Sequence, residues 1–154
     1  MFRHNDVFGM AMYAQTVNVI GCIKTSKTAA GFATTGLPLM LYRRHFGPHA
    51  VEIKGRPVPL DLAAALTADG KAATIAVVNP AADARTLKLT IRGKKLADKA
   101  TAYTITGKGA MSYNNPGKTP NVTITETKIT PFTPTGLALP PLSVTLYVVD
   151  IVRK

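Results

Sequence analysis

The pattern of apolar and polar residues along the chain changes near residue 50. Before it, apolar residues fall at helical spacing on either side of one strand-like run. After it, short β-type runs alternate with turn residues almost to the end of the chain. The pattern therefore divides the chain into two parts, residues 1–49 and residues 50–154.

The first part predicts a helix, a strand and a second helix. Residues 6–15 have apolar side chains at the spacing of a short buried helix, with Asn5 or Asp6 as its N-cap. Residues 17–23 are β-branched or apolar almost throughout, which is typical of a strand covered on both faces in a parallel sheet. Residues 35–46 predict the second helix. A strand followed by a helix is one βα unit, which cannot form a domain without neighbours.

The second part predicts a β-sandwich or jelly roll with hardly any helix. Six strand-like runs occur at intervals typical of such folds. They cover residues 60–67, 72–79, 86–91, 100–106, 121–129 and 142–149. Asp69 and Gly70 lie between the first two runs and predict a hairpin with a type I′ turn, which requires positive φ.

Composition and charge narrow the range of partners. The 154 residues have a net charge of +11, but the basic residues are scattered, and the tight clusters at residues 43–44 and 92–95 have no interleaved aromatics. We therefore predict no nucleic-acid partner. No window has the apolar length of a membrane span, so we predict no membrane partner either. Cys22 is the only cysteine, which excludes an intrachain disulfide.

Several short motifs resemble family 51 glycoside hydrolases, the α-L-arabinofuranosidases. Residues 14–20 (Ala-Gln-Thr-Val-Asn-Val-Ile) are similar to a signature of that family, and residues 41–47 (Leu-Tyr-Arg-Arg-His-Phe-Gly) resemble its final barrel helix. Residues 75–80 (Ile-Ala-Val-Val-Asn-Pro) and 140–147 (Pro-Pro-Leu-Ser-Val-Thr-Leu-Tyr) resemble its C-terminal domain. The motifs follow one another in the order expected for the family.

The resemblance implies a mainly β fold. A C-terminal jelly-roll-like β-sandwich, residues 50–154, would follow the last βα unit of a (β/α)₈ barrel, residues 1–49. The implied activity is retaining hydrolysis of terminal non-reducing arabinofuranosyl groups in arabinan- or arabinoxylan-type glycans. The implied partners are an arabinose-containing polysaccharide or oligosaccharide and the missing catalytic portion of the barrel, with a homo-oligomer left open. We expect no cofactor and no metal, and the sequence does not indicate a compartment.

Retaining glycoside hydrolysis requires two carboxyl groups at short separation, one acting as acid and base and the other as nucleophile. In the family, both are glutamates at the ends of earlier barrel strands. The only glutamates here are Glu52, in the link between the two parts, and Glu126, in a predicted strand. Neither matches a catalytic position of the family. We therefore expect no catalytic residue in this chain and no activity from it alone.

Gln15 is the candidate substrate-binding residue. The resemblance implies that this glutamine faces the sugar at the C-terminal mouth of the barrel, where active-site residues gather. A neutral amide that can both donate and accept hydrogen bonds suits a furanose hydroxyl. The alternative is a polar side chain that satisfies backbone groups near a strand end.

Other residues have structural interpretations. Asn18 lies inside the predicted apolar strand, where a buried amide must find partners. His45 and His49 are interpreted as surface residues and not as metal ligands, because Gly47 and Pro48 break the helix that would align them. Of the tyrosines that could stack on a sugar, those at 103, 113 and 147, the one at 113 is expected to be the most exposed.

Two functions stay open. The chain is either the C-terminal portion of an α-L-arabinofuranosidase or a stand-alone glycan-binding or structural β-sandwich module. The second would use its positive charge toward an arabinose-containing glycan or an acidic polysaccharide. A reading frame that continues upstream into a barrel with two strand-end glutamates would favour the first.

Overall fold

The computed structural model describes residues 4, 6–55 and 57–152. This part of the chain forms one α-helix, α1 (Gly36–His45), a 3₁₀ turn (Pro134–Gly136) and ten strands. The strands are β1 (Ile23–Thr25), β2 (Ala30–Phe32), β3 (His49–Val51), β4 (Asp61–Leu66), β5 (Ala72–Asn79), β6 (Arg85–Leu87), β7 (Lys95–Thr106), β8 (Thr123–Ile129), β9 (Leu137–Leu139) and β10 (Ser143–Val152). Neither helical segment of the described residues has the length and hydropathy needed to cross a bilayer.

Six strands form one antiparallel sheet in the order β3-β4-β5-β10-β7-β8. The central strands β5 and β10 carry apolar side chains in runs, and most of their residues are buried. The other strands pair as two short antiparallel sheets, β1 with β2 and β6 with β9. The fold is therefore mainly β, as predicted.

One face of the six-stranded sheet packs against β6 and β9. Alternate residues of β5 and β10 point to this face, because successive side chains of a strand point to opposite sides. The buried residues of this first core are Leu62, Ala73, Ile75, Val77, Leu87, Ala100, Ala102, Phe132, Leu137, Leu139, Tyr147 and Val149.

The other face of the sheet packs against α1. Leu37 and Leu41 lie four residues apart and therefore on the same side of the helix. They are buried against Ala76, Ile105 and Leu146 of the sheet and form the second core. Because both faces of the sheet are covered, its central strands can be apolar on both sides.

The chain leaves α1 through a close contact with the sheet. The Gly47 N–H donates to Thr74 Oγ1 at 3.0 Å, and the buried Thr74 hydroxyl donates to the Ala65 carbonyl oxygen at 3.2 Å. A Cβ on Gly47 would lie 2.0 Å from the Leu66 carbonyl oxygen. Glycine is needed here because two backbones meet at a distance that leaves no room for a side chain.

Most predictions from residue 35 onward are confirmed. α1 lies within residues 35–46, β4 and β5 form the predicted hairpin, and hardly any helix follows residue 50. Two details differ. The predicted strand over residues 86–91 is limited to β6, although burial still alternates beyond it. The hairpin turn is not type I′, because positive φ occurs at Gly70 (66°) and not at Asp69.

The two elements predicted before residue 24 are wrong. Residues 6–15 form turns and bends, and residues 17–23 form a single parallel bridge between Val17 and Ile23 in place of a strand. A short helix is stable only when its apolar face is packed, and a strand needs neighbours for its backbone hydrogen bonds. The described part of the chain provides neither a packing surface for residues 6–15 nor neighbouring strands for residues 17–23. The alternative N-cap Asn5 lies outside the described residues.

We predict that Gly47→Ala lowers the free energy of unfolding by about 2–3 kcal/mol, a typical effect of overpacking, because the added methyl group overlaps the Leu66 carbonyl. Gly109→Ala is the control, since a Cβ there would meet nothing within 4 Å. Urea denaturation followed by circular dichroism measures both. Equal stability of the two variants would contradict the predicted contact.

Candidate functional site

The candidate substrate-binding residue Gln15 lies in a segment that folds back on itself, residues 13–25. The Ile23 N–H donates to the Thr16 carbonyl oxygen at 3.0 Å, and the Asn18 N–H donates to the Ile23 carbonyl oxygen at 2.7 Å. These bonds close a compact loop. They use backbone groups that a strand would have offered to its neighbours.

Gly21 permits the tight path of this loop. A Cβ at this position would lie 2.8 Å from the carbonyl oxygens of both Gln15 and Asn18. Asn18 has a φ of 54°, a conformation that asparagine adopts more readily than most residues. The apolar pattern of residues 17–23 predicts a strand, but Asn18 and Gly21 within it favour a turn, and the chain forms the turn.

Asn18 attaches the loop to β1. Its Nδ2 donates to Thr25 Oγ1 at 2.8 Å, and its Oδ1 accepts the Thr25 N–H at 2.8 Å. The predicted burial of Asn18 is wrong, since the residue is exposed. Its amide nevertheless has the partners expected of a structural residue.

Gln15 is exposed on the surface of this loop. A cleft of about 500 Å³ lies between the loop and residues 113–116, with Asn18, Lys24 and Asn115 among its polar lining residues. Gln15 does not line this cleft. The structure therefore brings together amide and ammonium groups that could bind hydroxyl or anionic groups, but it does not add Gln15 to them. Lys24 and Asn115 cannot be identified from the sequence, because about ninety residues separate the two sides of the cleft and no local pattern signals their approach.

The tyrosines do not form a common surface for sugar stacking. Tyr113 is 60% exposed, as predicted. Tyr147 is buried in the first core, its hydroxyl donates to the Ala138 carbonyl oxygen, and burial raises its pKa to about 12. Tyr103 lies on the opposite face of the sheet, where its ring stacks on His45.

His45, Tyr103 and Glu126 meet where the last turn of α1 lies over β7 and β8. The His45 and Tyr103 rings have centroids 3.9 Å apart. Burial lowers the pKa of His45, and the charge of Arg44 lowers it further, while Glu126 has the opposite effect. Lys128 Nζ lies 2.7 Å from Glu126 Oε1, and this bond lowers the pKa of the Glu126 carboxyl. Near neutral pH, this cluster therefore combines an ionised carboxylate with a neutral imidazole.

The two histidines considered as metal ligands do not come together. His45 lies over the β7–β8 side of the sheet, whereas His49 belongs to β3 at the other edge. In the described ranges, no group of three or more His, Cys, Asp or Glu side chains has the arrangement of a metal site.

The two glutamates also lie at opposite edges of the sheet. Glu52 directly follows the edge strand β3, and Glu126 lies in the edge strand β8. Five strand spacings separate the two edges, which corresponds to roughly 24 Å. A retaining pair of carboxyl groups needs a separation of about 5–5.5 Å, so these two cannot act together within one chain.

Comparisons with known proteins connect this chain with α-L-arabinofuranosidases. A family described as the α-L-arabinofuranosidase C-terminal domain matches residues 1–143. The solved α-L-arabinofuranosidase of Thermotoga maritima in complex with arabinose is similar with a TM-score of 0.80 and 27% identity, over 96% of this chain and 35% of that one. The thermostable GH51 α-L-arabinofuranosidase of Thermotoga petrophila gives a TM-score of 0.78 and 28% identity, over 95% and 35%. This chain therefore spans about a third of the length of these structures. A comparison with curated protein sequences found no match.

We predict that His45 makes stability depend on pH between the folded pKa of its imidazole and the ordinary value of 6.5. Because the folded state has the lower pKa, the unfolded state binds protons more tightly, and the free energy of unfolding falls as pH drops below 6.5. His45→Gln should remove this part of the pH dependence, measured by urea denaturation at pH 7.5 and 5.5. His49→Gln controls for the loss of a histidine.

Glu126 affects the free energy of unfolding in a separate, more acidic pH range. Its pKa is lowered, so its contribution is present above 4.5 and is lost as pH falls through the folded value. A His45→Gln variant that keeps the full dependence between pH 7.5 and 5.5 would contradict the role assigned to His45.

Proposed function

The chain belongs to the α-L-arabinofuranosidase C-terminal domain family, and we propose that it is the C-terminal portion of an enzyme that removes terminal non-reducing arabinofuranosyl groups from arabinan- or arabinoxylan-type glycans. In this proposal, residues 1–49 are the end of a (β/α)₈ barrel and residues 50–154 are a jelly-roll-like domain that braces it. The rest of the barrel supplies the retaining pair of carboxylates.

The observation that carries the proposal is the exposed apolar surface of the N-terminal segment. Between residues 7 and 20, eight large apolar side chains have exposed fractions of 43–85%. They are Val7, Phe8, Met10, Met12, Tyr13, Val17, Val19 and Ile20. Exposed apolar side chains that lie this close together along a chain usually mark a contact with another part of a protein. The missing portion of the barrel is the partner that the family assigns to this position.

The boundary between the two proposed parts is also a packing interface. Helix α1 belongs to the first part, residues 1–49. Its Leu37 and Leu41 nevertheless pack in the second core with strands of the second part. Removal of residues 1–49 would therefore uncover Leu146 and Ile105. We propose that α1 joins barrel and sandwich into one unit.

We propose that Gln15 contacts the sugar once the barrel is complete. Its exposure leaves the side chain accessible, and the loop that bears it is fixed by the hydrogen bonds of Asn18 to Thr25 and by the close backbone packing at Gly21. An amide at the rim of a barrel can accept a hydrogen bond from one sugar hydroxyl and donate to another.

The chain alone should release no arabinose from p-nitrophenyl α-L-arabinofuranoside, because its two glutamates cannot meet. A chimaera in which it replaces the equivalent C-terminal third of the Thermotoga maritima enzyme should be active. In that chimaera, Gln15→Ala should lower kcat/KM about tenfold or more, the effect of one lost hydrogen bond in the transition state. Thr90→Ala, an exposed position beside the first core, is the control.

Turnover by the isolated chain that survives both Glu52→Gln and Glu126→Gln would contradict the proposal. If the chimaera and its Gln15→Ala variant have the same kcat/KM, Gln15 does not contact the sugar. The other parts of the proposal would not be affected by that result.

We further predict that the isolated chain self-associates through its N-terminal segment. Replacing Val7, Met10, Met12 and Val19 by serine should reduce association without changing the melting temperature of the sheet, because these side chains are exposed. Val58→Ser with Met111→Ser is the matched control, since both residues are 88% exposed but lie singly in loops. Sedimentation velocity measures the outcome, and a monodisperse monomer for the unchanged chain would contradict it.

A further inference from the structure

Positive charge is concentrated in the segment that leads from β6 into β7. Residues 88–95, the basic strip, include four basic side chains and no acidic one. They are Lys88, Arg92, Lys94 and Lys95, and all four are exposed. The ion pairs between described residues involve other basic side chains, at positions 71, 85 and 128. The charges of the basic strip are therefore directed to solvent and not to a carboxylate of the described chain.

The first core holds the beginning of the basic strip in place. Leu89 and Ile91 pack against this core, so the residues that alternate with them point away from it. The Leu89 N–H also donates to the Pro134 carbonyl oxygen at 2.8 Å. Lys88 and Arg92 consequently project from the same side of the chain, and roughly 13 Å of extended backbone separates them.

The end of the basic strip turns into the six-stranded sheet. Gly93 has a φ of 75°, and Lys95 is the first residue of β7. Residues 88–95 span at most about 25 Å, the length of an extended chain. The nearest acidic residues along the sequence do not cancel this charge. Asp83 is paired with Arg85 at 2.8 Å, and Asp98 lies three residues beyond the strip.

The basic strip borders the first core, on the face of the sheet opposite α1. Helix α1 covers the second core on the other face. In the proposed function, α1 is the last helix of the barrel, so the rest of the barrel adjoins that other face. The basic strip would therefore stay accessible to a partner when the barrel is complete.

The composition around the basic strip favours recognition by charge alone. Residues 81–100 include no aromatic side chain. Proteins that bind single-stranded nucleic acid combine basic residues with aromatic rings on which the bases stack, and neutral sugars are likewise bound by stacking. A polysaccharide with a carboxylate on successive sugar rings needs no such stacking. Its carboxylates suit both the bidentate guanidinium of Arg92 and the lysine ammonium groups.

We propose that the basic strip is a second glycan-binding site, which takes polysaccharides containing uronate sugars. Arg92 binds one carboxylate through two N–H groups, and Lys88 and Lys94 contact carboxylates on neighbouring sugars. The site would hold the enzyme on an acidic glycan while the barrel acts on neutral arabinofuranosyl groups. The choice of a glycan as the partner rests on the proposed function, whereas the charge and exposure of the strip do not.

The test is isothermal titration calorimetry of the full chain with a galacturonate oligosaccharide long enough to span the strip. Lys88→Gln/Arg92→Gln should raise the Kd about tenfold, since it removes two solvent-exposed charge contacts. The control Lys27→Gln/Lys118→Gln removes the same charge from two other exposed positions and should leave the Kd nearly unchanged. The methyl ester of the oligosaccharide should not bind, and added salt should weaken binding of the free acid because it screens exposed charges.

Equal weakening by the two double variants would mean that net charge alone attracts the ligand, and it would overturn the proposal. Comparable binding of the methyl ester would do the same. A DNA duplex that binds more tightly than the oligosaccharide, and that is weakened by Lys88→Gln/Arg92→Gln, would assign the strip to nucleic acid instead.

This titration does not depend on catalysis. An inactive chimaera would reject the proposed function and leave the titration of the basic strip as a separate result. In an active chimaera, Lys88→Gln/Arg92→Gln should not change the hydrolysis of p-nitrophenyl α-L-arabinofuranoside, because this substrate has no carboxylate. A loss of that activity would contradict a site that binds uronate sugars alone.

Discussion

The structure depends on covering both faces of β5 and β10. These central strands bury apolar side chains on both sides, so neither a single sheet nor a sheet with one covering layer would be stable. β6 and β9 cover one face, and α1 covers the other through Leu37 and Leu41. The close approach at Gly47 follows from this arrangement, because the chain must pass directly from the helix to the edge of the same sheet. The helix that ends the first part of the sequence is thereby a structural component of the second.

The N-terminal segment shows what happens when such cover is absent. Its apolar residues have no facing layer in the described chain. Its backbone N–H and C=O groups instead form local hydrogen bonds around Asn18 and Gly21. Under the proposed function, this facing layer is the rest of a catalytic barrel. The charged cluster of His45, Glu126 and Lys128 lies where the last turn of α1 meets β7 and β8.

The sequence predicts a secondary-structure element correctly wherever the packing partners of that element lie within the chain. The strands from β4 onward follow their alternation of apolar and polar residues, and α1 follows its spacing of Leu37 and Leu41. It failed where the pattern presupposes absent neighbours, at residues 6–15 and 17–23. Of the candidate site, the prediction that this chain has no catalytic pair rests on counting glutamates, and the separation of Glu52 from Glu126 adds a geometric reason to it. The cleft between Lys24 and Asn115 could not be predicted, because it depends on a tertiary contact between two loops.

The central proposal is that the rest of a barrel packs against the apolar side chains of residues 6–23. Amide hydrogen exchange of this chain, alone and joined to the remainder of the Thermotoga maritima α-L-arabinofuranosidase, tests it most directly. The account predicts rapid exchange at residues 6–15 in the isolated chain and strong protection of the same amides in the joined protein, with β5 and β10 protected in both. Protection of residues 6–15 in the isolated chain, or their continued rapid exchange after joining, would contradict the account.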